Sequence, residues 1–279
     1  MSQHIASTAS GPAAGWQLDG DAAEAYERYL ATSFAPWARR LVELAGVASG
    51  QRVLDVACGT GIVARQAAAS VGASGQVVGL DLNDDMLRVA RAAAATTVPQ
   101  IEWRQGDAGR LPFPDGSFDA VVCELAIQFF PDPDAAVREM RRVLSPGGRA
   151  AVSVCRPIRF APTYVALAGV LERHLGYEAA AIMRSPFPDW ATDHVGGLFS
   201  RAGFPNVQVT IDIWPLRYPS PAEFLRREAS GSPLAGPVGG LDPARRDALL
   251  GDLTEAVADH VDDDGVACPI EVYVAVARR

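Results

Sequence analysis

The sequence predicts an α/β fold with a mostly parallel sheet, and three observations support this prediction. Between residues 51 and 155, apolar β-type runs alternate with helical segments at the short spacing of βαβ units. A glycine turn, Gly59-Thr60-Gly61, joins the first run to a helix. Acidic residues also stand at or near the ends of the first three runs, at the edge where such a sheet binds its ligand.

The core elements follow one another in a regular order. The predicted strands are Gln51–Val56, Gly75–Asp81, Ile101–Arg104, Phe118–Leu125 and Arg149–Cys155. Helices are expected at Ile62–Val71, after the capping residue Asn83, and from Pro133 after the capping residue Asp132. Strands that alternate with helices in this way form a sheet that is covered on both faces.

Segments outside this core predict an arm and a lid. Residues 1–20 are rich in Ala, Ser and Gly, and we expect a flexible arm. The chain is then divided into N-terminal lid helices (two short helices in 21–47), a cofactor-binding core (48–155), and the remainder of the sheet with lid insertions at about 160–185 and 220–262. A last β-type run is expected at Ile270–Ala277.

Composition and charge exclude several classes of protein. The net charge is −8, which disfavours a nucleic-acid partner. No apolar run approaches the roughly 20 residues that span a bilayer, and the N-terminal residues do not resemble a signal peptide, so no membrane association and a cytoplasmic location are expected. The four cysteines are widely spaced and predict buried thiols rather than a metal site or disulfides.

The chain contains no lysine, so its 25 basic residues are all arginine. This excludes Schiff-base chemistry, a P-loop lysine and the Tyr-Lys pair of short-chain dehydrogenases, because each needs an amine. The glycine turn fits the dinucleotide pattern G-x-G-x-x-A at Gly59 to Ala64, which by itself is weak. Asp81 can accept hydrogen bonds from both ribose hydroxyls, and Asp107 from an adenine amine. Together with Asp55, they predict an adenosine site without phosphate-neutralising charge.

Several segments in this order give a more specific signal: V-L-D-V-A-C-G-T-G (53–61), V-V-G-L-D-L-N-D-D-M-L (77–87), Q-G-D-A (105–108), F-D-A-V-V-C (118–123), F-F-P-D (129–132) and R-R-V-L-S-P-G-G-R (141–149). With them the chain resembles the class I S-adenosylmethionine-dependent methyltransferases, in the group that includes the ubiquinone/menaquinone-biosynthesis type enzymes. The resemblance implies a Rossmann-like, seven-stranded, mostly parallel sheet whose last strand is antiparallel, with helical lid insertions.

The resemblance also implies a cofactor, S-adenosyl-L-methionine, and residues that hold it. It places the methionine part and the ribose on the glycine turn, the ribose also on Asp81, and the adenine on Asp107. The full expected set is Asp55, Ala57, Gly59, Gly61, Asp81, Leu82, Met86, Asp107, Ala108, Glu124 and Gln128. Ala57 departs from the glycine of the fullest motif, and for Asp55 a helix- or loop-capping role stays open.

The lid sequence is rich in aromatic residues, Leu and Pro, which predicts a small apolar or aromatic acceptor. O-methylation is favoured, with no catalytic residue assigned; the candidates are Tyr26, His174, Glu124 and His194. For both histidines a role outside catalysis is favoured, and His174 is expected to face solvent. No metal site is predicted, the N-P-P-Y sequence of amine-directed enzymes is absent, and a homodimer stays open.

Two other functions stay open from the sequence. One is a fold that binds S-adenosylmethionine without transferring methyl groups, as a cyclase or a structural partner. The other is a nicotinamide-dependent oxidoreductase, which the G-x-G-x-x-A match motivates and which the lack of lysine and of phosphate-facing arginine disfavours.

Overall fold

The computed structural model describes Leu18 and residues 20–97 and 100–279. The predicted flexible arm, residues 1–20, lies outside the described residues except for Leu18 and Gly20. In the described part of the chain, no helix is both long enough and apolar enough to cross a membrane.

One sheet organises the molecule. Its strands are β1 Arg52–Val56, β2 Gln76–Asp81, β3 Ile101–Gln105, β4 Phe118–Glu124, β5 Leu144–Cys155, β6 Val207–Tyr218, β7 Val261–Asp262 and β8 Gly265–Arg278. They are ordered β3-β2-β1-β4-β5-β8-β6, with β7 paired to β8. The strands from β3 to β5 are parallel, and β8 is antiparallel to both β5 and β6. The predicted seven-stranded sheet is therefore confirmed, with the two-residue β7 in addition.

Eleven α-helices surround the sheet in the described residues. They are α1 Asp21–Tyr26, α2 Thr32–Leu44, α3 Ile62–Val71, α4 Asp84–Ala93, α5 Pro133–Val143, α6 Pro162–Leu175, α7 Tyr177–Arg184, α8 Thr192–Arg201, α9 Pro221–Ser230, α10 Ala235–Gly239 and α11 Pro243–Ala256. The predicted caps Asn83 and Asp132 accept hydrogen bonds from backbone N–H groups in the first turns of α4 and α5. Buried apolar residues form a large cluster on each face of the sheet.

The two helices predicted in 21–47 are present as α1 and α2, but they are continuous with each other. A π-helical segment, Glu27–Ala31, joins α1 to α2 without leaving helical geometry. A π turn holds one residue more than an α turn, so it rotates the following residues about the helix axis. This rotation explains why the apolar face changes between Leu30 and Phe34, a change that in the sequence suggested two helices rather than one. The stacked rings of Trp37 and Trp214, with centroids 4.6 Å apart, dock α2 on β6.

β8 begins at Gly265, well before its predicted start at Ile270, and pairs with β6 along its length. Their pairing runs from Val207 opposite Ala277 to Tyr218 opposite Val266. Pro215 pairs with Pro269 in this ribbon, so two residues that cannot donate a backbone hydrogen bond face each other. The extension brings Tyr218, at the far end of β6, into contact with α6 and α9.

The topology places a ligand site between β1 and β4. From β1 the chain continues outwards through β2 and β3, and it then returns to build β4 and β5 on the other side. The carboxyl ends of β1 and β4 therefore diverge at a switch point of the sheet, where α/β proteins bind ligands.

Candidate active site

The glycine turn after β1 is shaped by close packing. Gly61 has a φ of +82°, and a Cβ atom there would lie 2.2 Å from the Trp103 ring. Glycine is therefore required at residue 61 by both conformation and space. Ala57 also has a positive φ, 54°, which is unfavourable for alanine. Its position in the turn is the one where the resembling family has glycine, and the structure shows the backbone reason.

Asp81 holds this turn against the end of β2. Its Oδ2 accepts a hydrogen bond of 2.8 Å from the Gly59 backbone N–H, and its Oδ1 one of 2.8 Å from Asn83 N–H. Burial raises the pKa of the Asp81 carboxyl, while these backbone donors oppose the shift. Each carboxylate oxygen has a second lone pair, so both can still accept a hydroxyl of a ligand.

Asp55 lies deeper, beneath the turn. It is buried, and its Oδ2 accepts a 2.9 Å hydrogen bond from Ala64 N–H in the first turn of α3. Asp55 therefore caps the first turn of α3, a role that the sequence left open. Burial raises the pKa of Asp55 to about 8. Asp55 also lines a small cavity of 40 Å³, together with Tyr26, Thr60 and Glu124.

A larger cavity of 530 Å³ opens beside the turn and continues under the lid. Of the predicted cofactor residues, it is lined by Ala57, Gly59, Asp81, Leu82, Met86, Asp107, Ala108, Glu124 and Gln128. Asp55 lines only the small cavity, and Gly61 lines neither cavity. The structure thus brings nearly all the predicted residues to one site.

The far side of the cavity is the predicted adenine end. Leu82, after β2, is 59% exposed, although it is a large apolar residue. Asp107 accepts a hydrogen bond from Gly109 N–H through Oδ1, at 2.8 Å. Its Oδ2 accepts none within the described residues and is available to a donor. An apolar rim beside a free carboxylate oxygen suits a base with an exocyclic amine.

The cavity is lined by acidic residues and, within the residues that the structure describes, by no basic ones. Its acidic lining residues are Asp81, Asp107, Glu124, Asp132 and Glu228, and no Arg, Lys or His is among the described residues that line it. Two buried acceptors, Glu124 Oε1 and Gln128 Oε1, have no hydrogen-bond partner in the described part of the chain. Such a cavity fits a ligand that carries positive charge and hydrogen-bond donors and has no phosphate.

The candidate bases fall into two groups. Tyr26 and Glu124 line the cavity, and burial raises the pKa of each. His174 lies outside it and pairs with Asp252 of α11 through a 2.9 Å contact. The expectation that His174 faces solvent is wrong, because it joins α6 to α11 with only 19% of its side chain exposed. His194, also outside, stacks on Trp190.

The lid contributes cavity residues that the sequence did not predict. They are Tyr164 of α6, Met183 of α7, Phe187 of the loop after α7, and Glu228 of α9. A signal was present for Glu228, since Phe224, Leu225, Glu228 and Ala229 form the buried stripe of α9. A carboxyl group on the apolar stripe of a helix indicates a buried polar site.

Comparisons with known proteins agree with this geometry. The profile of a methyltransferase domain family matches residues 53–148. Over 115 residues the chain is 48% identical to the ubiquinone/menaquinone biosynthesis C-methyltransferase UbiE of Pseudomonas putida (strain F1), covering 40% of this chain and 45% of that protein. The corresponding sequence from Ectopseudomonas oleovorans is 45% identical over 115 residues, which cover 40% of this chain and 68% of that sequence. The chain therefore spans less than half the length of the Pseudomonas putida relative.

A solved structure of a candidate methyltransferase from Bacillus halodurans C-125 shares the fold. Its TM-score is 0.56 at 25% sequence identity, and the match covers 86% of this chain and 97% of that one. Structural similarity therefore extends far beyond the segment that the family profile matches.

Proposed function

We propose, from the premise that this chain belongs to the class I S-adenosylmethionine-dependent methyltransferases, that it transfers a methyl group from S-adenosylmethionine to a hydroxyl oxygen of a small apolar or aromatic acceptor. The observation that carries the proposal is the large cavity, which is lined by acids and by no basic side chain among the described residues. S-adenosylmethionine carries a sulfonium and an ammonium group and lacks phosphate, so its charge complements this lining.

The residues present fit this cofactor along the length of the site. The glycine turn and Glu124, with its unpartnered Oε1, would hold the methionine part. Asp81 would accept the ribose hydroxyls, and Leu82 with Asp107 would hold the adenine. The bound cofactor would supply an electrophilic methyl group.

The lid supplies the acceptor side. Leu30, Phe34, Met183 and Phe187 line the cavity and present apolar surface to the acceptor. Such surface excludes water and fixes an aromatic molecule by its faces. Holding the nucleophile in line with the methyl group contributes most of the rate in such a transfer, because a positioned reaction avoids the entropy of encounter.

C-methylation is a second candidate, since the relatives from Pseudomonas putida and Ectopseudomonas oleovorans are named as C-methyltransferases. The family profile, however, matches residues 53–148 and so includes none of the lid residues Leu30, Phe34, Met183 and Phe187 that line the acceptor end. The two candidates make different products from one acceptor. The ¹³C chemical shift of a transferred labelled methyl group distinguishes a methyl ether from a C-methyl compound.

The alternatives from the sequence are less well supported. A nicotinamide dinucleotide carries a pyrophosphate, which the acidic cavity would repel. A protein that binds S-adenosylmethionine without transferring its methyl group would share the cofactor half and would differ only in turnover. A cytoplasmic location, a homodimer and the absence of a nucleic-acid partner stay predictions.

The first experiment is calorimetric titration of the full chain with S-adenosylhomocysteine. We expect micromolar binding by the wild type and at least a tenfold loss in Asp81→Ala. Asp84→Ala is the matched control, because Asp84 lies three residues away and does not line the cavity. No binding to the folded wild type, or equal affinities in all three proteins, would contradict the proposal.

A further inference from the structure

Glu228 is a buried carboxyl group at the wall of the large cavity, and the packing of the fold does not require an acid there. It lies on α9, is 5% exposed, and lines the large cavity together with Cys155, Met183 and Phe187. Burying a carboxyl group costs free energy unless it is paired or hydrogen-bonded. Nothing in α9 itself needs an acid there, since its stripe neighbours Phe224 and Leu225 are apolar.

Only one oxygen of this carboxyl group is satisfied. Glu228 Oε1 accepts a hydrogen bond of 3.0 Å from the Tyr164 hydroxyl and another from the Tyr218 hydroxyl. Oε2 accepts none among the described residues, and no basic side chain there forms an ion pair with Glu228. The two tyrosines come from α6 and β6, so the packing of three elements fixes the orientation of the carboxyl group.

The groups that face Glu228 are all neutral donors or thiols at neutral pH. They are Tyr26 of α1, Tyr164 of α6, Tyr218 of β6, Cys155 of β5 and Cys268 of β8. A free carboxylate oxygen at the wall of an apolar cavity favours a ligand that donates a hydrogen bond. A hydroxyl group suits this site better than an ammonium group, because a second cation would be repelled by the sulfonium group in the same cavity.

We propose that Glu228 is the acid–base residue of the acceptor site and that the acceptor is an aromatic compound with a hydroxyl group, a phenol or a hydroquinone. This inference rests on the proposed function. The hydroxyl group donates to Glu228 Oε2, and its proton moves to that oxygen. The acceptor oxygen then forms a bond to the methyl carbon as the carbon–sulfur bond breaks. The electron pair of that bond stays on sulfur, which leaves a neutral methyl ether, a neutral thioether and a protonated Glu228.

Tyr164 and Tyr218 act as positioning residues. Their hydroxyl groups hold Oε1 and leave Oε2 for the acceptor. The aromatic wall continues from this pair, since the Tyr164 ring lies 5.2 Å from Phe187 and 5.4 Å from Phe224, centroid to centroid. An aromatic acceptor that packs beside Phe187 therefore lies close to the free oxygen.

The test compares two probes, 1-naphthol and 1-methoxynaphthalene; in the second a methyl group replaces the hydroxyl hydrogen, so it cannot donate a hydrogen bond. Each is titrated into the full chain saturated with S-adenosylhomocysteine, and thermal melting confirms that every variant is folded. We expect the wild type to bind 1-naphthol about tenfold more tightly than its methyl ether. This is the ratio of dissociation constants that one hydrogen bond to a charged acceptor gives. In Glu228→Gln the amide oxygen faces the two tyrosines and the NH₂ group faces the cavity, so the preference disappears.

Glu223→Gln is the matched control, because Glu223 lies on the same helix, pairs with Arg226 and Arg227, and does not line the cavity. It should keep the wild-type preference, and all three proteins should bind S-adenosylhomocysteine equally. An unchanged preference in Glu228→Gln, an equal loss of both probes, or no binding of either probe to the wild type would overturn the inference. A tighter hold on 1-naphthylmethylamine than on 1-naphthol would overturn it in favour of an amine acceptor. Failure of the wild type to bind S-adenosylhomocysteine would instead contradict the proposed function.

Discussion

Replacing Glu228 with glutamine should make the stability of the protein less dependent on pH. Burial raises the pKa of Glu228 from 4.5 to about 7. Between these values the folded state binds more protons than the unfolded state, so the free energy of unfolding falls as pH rises. A shift of about 2.5 units corresponds to about 3 kcal/mol, of which about 2 to 3 kcal/mol is lost between pH 5 and pH 8. Glu228→Gln has no proton to lose and avoids this penalty.

Urea unfolding at pH 5 and pH 8, followed by tryptophan fluorescence, measures the effect. The difference in free energy of unfolding between the variant and the wild type isolates the effect of Glu228, because the other buried acids are present in both proteins. We expect this difference to shift in favour of the variant by about 2 to 3 kcal/mol at the higher pH. In Glu223→Gln it should stay constant, since the arginines beside Glu223 lower its pKa to about 2, below the range measured. Parallel stability curves for wild type and Glu228→Gln would refute the reasoning.

Three further substitutions test the site by stability and local order. Gly61→Ala should lower the free energy of unfolding by about 2 to 5 kcal/mol, because alanine would adopt a left-handed conformation and clash with the Trp103 ring. Urea unfolding measures this loss, and a value below about 1 kcal/mol would contradict the geometry. Ala57→Gly should raise that free energy by up to about 1 kcal/mol by relieving a positive φ, and a destabilised variant would oppose it. Arg142→Met should lower the free energy of unfolding by about 2 kcal/mol, because the Arg142 guanidinium donates to the carbonyls of Leu111 and Phe113. Without it, residues 109–117 should become sensitive to protease, and wild-type resistance to cleavage would count against that role.

Much of the fold could be predicted because it depends on local patterns. The alternation of strands and helices, the caps Asn83 and Asp132, and the glycine turn are each set by a few neighbouring residues. The continuity of α1 with α2 could not be predicted, because a π segment shifts the apolar stripe without breaking the helix. Such a turn has no simple sequence signal.

The cofactor half and the acceptor half of the site also differ in how far the sequence predicts them. The cofactor half follows from residues at the carboxyl ends of adjacent strands, whose neighbours are fixed by the parallel order. Asp81 and Asp107 could therefore be placed from the sequence. Tyr164, Tyr218 and Glu228 meet only because α6, β6 and α9 pack together. Their sequence separation is 54 residues between the tyrosines, and no local pattern specifies that contact.

The most direct test of the central claim is turnover with S-adenosylmethionine labelled with ¹³C in its methyl group. The full chain is incubated with this cofactor and a panel of phenols, hydroquinones and their methyl ethers, and the products are followed by NMR and mass spectrometry. We expect a labelled methyl ether from at least one hydroxylated aromatic acceptor, with one S-adenosylhomocysteine formed per product. Loss of this product in Glu228→Gln, and its retention in Glu223→Gln, are also expected. Tight binding of S-adenosylhomocysteine without labelled product from any hydroxylated member of the panel would contradict it.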